Sequence, residues 1–137
     1  MANEIFVDTS GFFAMFDRSD NKHSAVQRVV REARRRKRNF VTSDYVLDET
    51  ATLLKARGLT HLLESFFEKL DESKAFCIGW TDSERFHECR AFFLKHSDQD
   101  WSFTDCMSFC VMKQLRLRDA LTKDTHFHQA GFNVLLA

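Results

Sequence analysis

Five short apolar runs divide the chain, at residues 4–8, 39–42, 75–78, 120–122 and 133–136. Each is rich in Val, Ile, Phe or Leu and has the length of a strand rather than a helix. Longer segments with helical spacing fill the intervals: 21–37, 44–57, 60–70, 83–95, 102–116 and a short last turn at 124–130. In the first of these, Ala25, Val29, Val30 and Ala33 fall on one face. Strands that alternate with helices require crossover connections, and crossovers set strands in parallel with helices packed on both faces. The expected fold class is therefore α/β: one three-layer α/β/α domain over residues 1–137, with a central parallel sheet of about five strands.

The composition agrees and removes several alternatives. With 44% apolar residues and 15 Phe among 137, the chain can bury a large aromatic core. Four glycines and no proline leave no flexible linker, and there is no repeat or low-complexity tract. Twenty basic residues balance 20 acidic ones, so nucleic acid is not bound by bulk charge and any such contact is local. No run reaches the roughly 18 to 20 apolar residues of a membrane span. The N-terminus lacks a basic segment followed by an apolar one, so no secretory signal is expected. Cys77, Cys89, Cys106 and Cys110 are then expected as free thiols in the cytoplasm.

In such a fold, ligands bind beyond the carboxyl ends of the strands. Four acids fall at that edge. Asp8 closes the first apolar run and Asp124 follows the fourth. Asp105 stands in the first turn of a helix that is apolar on nearly every side, where a lone carboxylate is costly. Glu49 lies at the margin of the stripe formed by Val46, Leu47, Thr50, Leu53 and Leu54, whereas Asp48 points to solvent. Each has a structural alternative. Asp8 and Asp124 suit helix N-caps, and Ser102-Phe-Thr-Asp105 fits a capping box. Together, four converging carboxylates repel unless a cation neutralises them. An all-oxygen set favours Mg²⁺ or Mn²⁺, whose chemistry beside phosphate is phosphodiester hydrolysis.

The segments VDTSGFF, DET, WSFTDCMSF and LTKDTHFHQAGF together resemble the PIN-domain ribonucleases, above all the VapC-type toxins of toxin–antitoxin pairs. The likeness spans essentially the whole chain. It implies a Mg²⁺- or Mn²⁺-dependent endoribonuclease that cuts single-stranded regions of tRNA, rRNA or mRNA. It also implies a cognate antitoxin and a homodimer. The metal-binding acids of that family match Asp8, Glu49, Asp105 and Asp124, and the hydroxyl near its first aspartate matches Thr9 or Ser10. Asp100, just before the Asp105 helix, is a possible fifth acid. A non-catalytic PIN-like module is the alternative, although none of the four acids is missing. A haloacid-dehalogenase-like phosphatase needs a second aspartate at position 10, which is Ser10.

Other features are weighed against blander roles. The basic run Ala33-Arg-Arg-Arg-Lys-Arg38 suits either a solvated helix end or RNA phosphates. Arg116, Arg118 and Lys123 are expected nearer the acids, as backbone contacts. Cys106, Cys110, His126 and His128 match no common zinc spacing. Trp80 and Trp101 suit base stacking or a core. Phe12, Phe13, Phe16, Val26 and Val29 suit a dimer or antitoxin surface, or the core.

Overall fold

The computed structural model describes residues 3–137. The elements follow in the order β1 (Ile5–Val7), α1 (Thr9–Phe16), α2 (His23–Arg35), β2 (Phe40–Ser43), α3 (Asp44–Ala56), a 3₁₀ turn (Thr60–Leu62) and α4 (Leu63–Glu72). They continue with β3 (Phe76–Gly79), α5 (Ser83–Lys95), α6 (Phe103–Gln114), β4 (Asp119–Leu121), α7 (Thr125–Gln129) and β5 (Asn133–Val134). All five strands are parallel, in the order β3-β2-β1-β4-β5. The α/β/α architecture expected from the alternating runs is the one observed.

The core forms on both faces of the sheet. Ile5, Phe40 and Phe76 stand in one cross-strand row. The Phe40 and Phe76 rings stack at 5.3 Å, and Phe12 of α1 covers Phe76 at 6.0 Å while meeting Phe66 of α4 edge-on at 5.2 Å. Phe6 faces the opposite way, towards Phe127 of α7, which meets Phe109 of α6 edge-on. Helix α6 buries every residue from Cys106 to Met112, the environment its all-round apolar sequence requires. Phe12, Phe13 and Val26 are core residues, so they are not available as a partner surface; Phe16 and Val29 are half-buried against the same cluster.

Several boundaries differ from the sequence expectation. Segment 60–70 divides into a 3₁₀ turn and α4. Helix α2 begins two residues late because Asp20 accepts the Lys22 amide at 2.9 Å and holds a turn there. It ends before Lys37, whose φ of 56° no right-handed helix allows. Strand β5 has only two residues, yet Leu135 and Leu136 still donate to Ala120 O and Thr122 O, so the pairing direction runs on past it.

Because the sheet is parallel, every strand delivers its carboxyl end to the same edge. β1 continues through α1 and α2 to β2 on one side, while β4 lies on its other side. That divergence between β1 and β4 opens a crevice, the usual ligand position in such sheets. Gly11 lets α1 enter it: a Cβ there would lie 2.1 Å from the Leu121 carbonyl oxygen.

Candidate active site at the carboxyl edge of the sheet

Asp8 leaves β1 and occupies the N-cap position of α1, but its side chain makes no capping bond. Instead, its Oδ2 accepts the Thr122 hydroxyl at 3.0 Å. Thr122 Oγ1 in turn accepts the Asp124 amide at 3.0 Å and lies 3.0 Å from Ser10 Oγ, which accepts the Lys123 amide. A hydroxyl has one proton, so Ser10 is the donor to Thr122. This chain locks the end of β1 to the end of β4. Asp8 is only 6% exposed. Burial pushes its carboxyl up to about 7; the Thr9 amide and Thr122 hydroxyl oppose the rise, and the Asp105 and Glu49 carboxylates add to it.

Glu49 reaches the crevice from α3, which touches both α1 and α6. Its Oε1 accepts the Thr9 hydroxyl at 2.6 Å, and Thr50 donates to the same Thr9 oxygen at 3.2 Å. The neighbouring acids are elsewhere. Asp48 is exposed, as the wheel predicts. Asp44 is occupied by the Thr81 amide and hydroxyl at 3.0 and 2.7 Å, tying the end of β3 to α3.

Asp105 and Asp124 carry their structural roles and their place at the site together. Ser102 and Asp105 form a reciprocal capping box, with Oδ2 of Asp105 accepting the Ser102 amide at 3.1 Å. Asp124 caps α7 by accepting the His126 amide at 2.9 Å. His126 Nδ1 then lies 3.1 Å from Asp105 Oδ2 and 3.4 Å from Asp124 Oδ1. One potential ligand atom from each of these three residues falls within 4.8 Å of the other two.

A cleft of about 270 Å³ opens beside these groups, lined by Asp8, Thr9, Ser10, Glu49, Lys123 and Asp124 together with Phe13, Asp20, Leu53 and Arg57; Asp105 and His126 adjoin it through Asp124 without lining it. Oxygen donors of this density suit a hard divalent cation. Lys123 therefore stands where the sequence places it, 3.7 Å from Asp20 Oδ1. Arg116 does not. It follows α6, whose 12 residues run away from the site, so it lies about 18 Å off at the amino edge of the sheet. Arg118 precedes β4 at that same edge. Asp100 is exposed in the loop before α6 and lines no part of the cleft; the additional acid there is Asp20.

Asp20, Arg57, Thr122 and His126 were not singled out for this site from sequence. His126 alone has a signal, its place two residues after Asp124, but the sequence weighs it as part of a zinc set. The basic run is a solvated helix end: Arg35 and Arg36 both bind Glu32, and Arg38 bonds Asn3 O and Asp119 at the amino edge. Cys106 and Cys110 are buried in the core, the potential metal cluster found among the described residues includes neither of them nor His128, and all four cysteines are free. Trp101 packs on Phe92 and Phe109, whereas Trp80 is 66% exposed. No helix among the described residues is long and apolar enough to cross a membrane.

Comparison with protein families matches residues 5–133 to the PIN domain. The 23S rRNA-specific endonuclease VapC20 of Mycobacterium tuberculosis is 28% identical over 128 residues, 93% of this chain and 95% of that protein. A VapC ribonuclease of Archaeoglobus fulgidus is 32% identical over 124 residues, covering 88% of this chain and 77% of that one. The crystal structure of M. tuberculosis VapC20, described as a sarcin-ricin loop cleaving toxin, superposes with a TM-score of 0.80 at 27% identity, over 94% of this chain and 96% of that chain. FitAcB from Neisseria gonorrhoeae shares the fold, with a TM-score of 0.64 at 18% identity over 95% of each chain.

Proposed function

The chain belongs to the PIN domain family, among the VapC ribonucleases, and on that footing we propose that it is an endoribonuclease that cuts single-stranded RNA using Mg²⁺ or Mn²⁺ held by Asp8, Glu49, Asp105 and Asp124. The observation that carries this reading is the gathering of carboxylates from distant segments: Asp8, Glu49 and Asp124 line one cleft, and Asp105 lies close enough to raise the pKa of the buried Asp8 and shares the His126 ring with Asp124. A divalent ion, when bound, activates the attacking water and stabilises the charge on the leaving oxygen.

The chain's own residues supply the rest. Thr122 and Thr9 fix Asp8 and Glu49 in the orientation a ligand needs. Ser10 braces Thr122 and the Lys123 backbone. Lys123 and Arg57 border the acids and hold the RNA phosphates on either side of the scissile bond. Asp20 keeps the Lys123 ammonium near the cleft when RNA is absent. The names of the relatives make a ribosomal RNA loop the first substrate to try. The remaining expectations are a cytoplasmic toxin that forms a homodimer and is silenced by an antitoxin.

The test is cleavage of single-stranded and sarcin-ricin-like RNA oligonucleotides by purified protein with Mg²⁺ or Mn²⁺, then with chelator, beside Asp8→Asn. Metal-dependent cutting that Asp8→Asn abolishes is the expected result. Cutting that survives chelation, or is indifferent to Asp8→Asn, overturns the mechanism.

A further inference from the structure

His126 has a position that helix packing does not require. Its neighbour Phe127 already anchors α7, buried between Phe6 and Phe109. The imidazole instead sets Nδ1 beside two carboxylates, 3.1 Å from Asp105 Oδ2 and 3.4 Å from Asp124 Oδ1, the second of which lines the cleft. Adjacent ligands around a six-coordinate ion with bonds near 2.1 Å are about 3.0 Å apart. Nδ1 thus stands at about the spacing of a neighbouring ligand from each carboxylate, and one potential ligand atom from each of the three residues lies within 4.8 Å of the others.

The residue is also held in advance. Its backbone amide donates to Asp124 at 2.9 Å while its ring meets the same carboxylate, so backbone and side chain are clamped to one neighbour. Asp105 is fixed from the other side by the Ser102 amide. Nothing comparable surrounds His128, which is exposed two residues further on.

We propose that His126 Nδ1 is a ligand of the divalent ion beside Asp105 and Asp124, and that this nitrogen makes the site prefer Mn²⁺ to Mg²⁺. The inference deepens the proposed nuclease reading and rests on it. The selectivity follows from ligand softness: carboxylates serve both ions, whereas imidazole adds affinity for Mn²⁺ and little for Mg²⁺. Ligation uses the Nδ1 lone pair, which leaves the ring proton on Nε2.

The test is pulsed electron paramagnetic resonance of the purified protein loaded with Mn²⁺, with Mg²⁺ competition in the same samples. A directly bound ¹⁴N coupling is expected in the wild type and in His128→Gln, and it disappears in His126→Gln. The preference for Mn²⁺ over Mg²⁺ falls at least about tenfold in His126→Gln. No bound Mn²⁺, no nitrogen coupling in the wild type, coupling retained in His126→Gln, or unchanged selectivity would each overturn the assignment. The wild-type spectrum decides even where a variant fails to fold, and melting curves with His126→Asn provide a second variant. Metal-dependent RNA cleavage without nitrogen coupling sinks this inference alone. Nitrogen coupling without any metal-dependent cleavage sinks the nuclease reading alone.

Discussion

Asp8 is held in a setting that opposes its own charge. Its folded pKa, about 7, lies above the ordinary carboxylate value near 4. Between those values the folded chain binds a proton that the unfolded chain has lost, so its stability falls as pH rises through that window. Beside burial, the groups that act most on Asp8 are the Thr9 amide and Thr122 hydroxyl, which oppose the rise, and the Asp105 and Glu49 carboxylates, which add to it. Metal-free protein should therefore melt at a lower temperature at pH 8 than at pH 5 on this account. Asp8→Asn should flatten that part of the profile and raise the melting temperature at pH 8 by several degrees, while reducing cleavage at least about a hundredfold. A melt and an RNA assay on the same sample check both signs. Thr122 gives the complementary case. Thr122→Val keeps the shape but removes the donor to Asp8 and the acceptor for the Asp124 amide. It should destabilise the protein by about 1–3 kcal/mol and slow cleavage about 10- to 100-fold, measured by denaturant titration and initial rates. Asp8, Asp105 and Asp124 are legible in the sequence because each follows a strand or opens a helix, and Glu49 because it borders the apolar stripe of α3. Thr122 is not: a threonine ending an apolar run reads only as a β-branched strand residue, and its role depends on a hydroxyl 114 positions away in sequence from Asp8.

At the scale of elements, helix α1 and strand β4 are the pair that shapes the crevice, and Gly11 is where they meet. A methyl group at residue 11 would lie 2.1 Å from the Leu121 carbonyl oxygen, which also accepts the Asp8 amide at 3.3 Å. The backbone cannot yield as a flexible side chain would, so Gly11→Ala must push β4 away from β1. The expected cost is about 1–3 kcal/mol, with cleavage lost out of proportion to stability because Asp8 and Thr122 separate. Urea unfolding and RNA cleavage of the same variant measure the two effects; a variant of wild-type stability and activity would refute the contact. Strands and helices themselves are readable, since short continuous apolar runs mark strands buried on both faces and period-3.6 patterns mark the buried faces of helices. Their ends are less so. The Asp20 turn that delays α2 is a side-chain hydrogen bond, and the break before α4 follows no glycine or proline within residues 60–70. Arg116 shows the cost of reading position along the chain as position in space: it is eight residues from Asp124 in sequence but a whole helix length from the site, because α6 and β4 run in opposite directions.

For the whole molecule, a net charge of zero makes the distribution of cations decisive. The basic run gathers at the amino edge of the sheet, where Arg35 and Arg36 are paired with Glu32 and Arg38 with Asp119. The carboxyl edge carries the acids, and the cations lining the cleft there are Lys123 and Arg57. Sequence could not make this division, because Arg57 closes α3 and reaches the cleft over the Phe13 ring at 4.9 Å, a contact between distant segments. The polarity has a measurable consequence. Single-stranded RNA binding weakens with salt by a log–log slope of about −0.7 for each phosphate neutralised, so two contacts give about −1.4. Fluorescence anisotropy with the non-cleaving Asp8→Asn protein and Mg²⁺, over a range of KCl concentrations, reads that slope directly. Lys123→Gln and Arg57→Gln should each bring it about 0.7 closer to zero, and Arg35→Gln with Arg36→Gln should leave it unchanged. A slope that instead collapses on loss of Arg35 and Arg36 would route the RNA across the amino edge, far from Asp8, and would separate the binding surface from the acids.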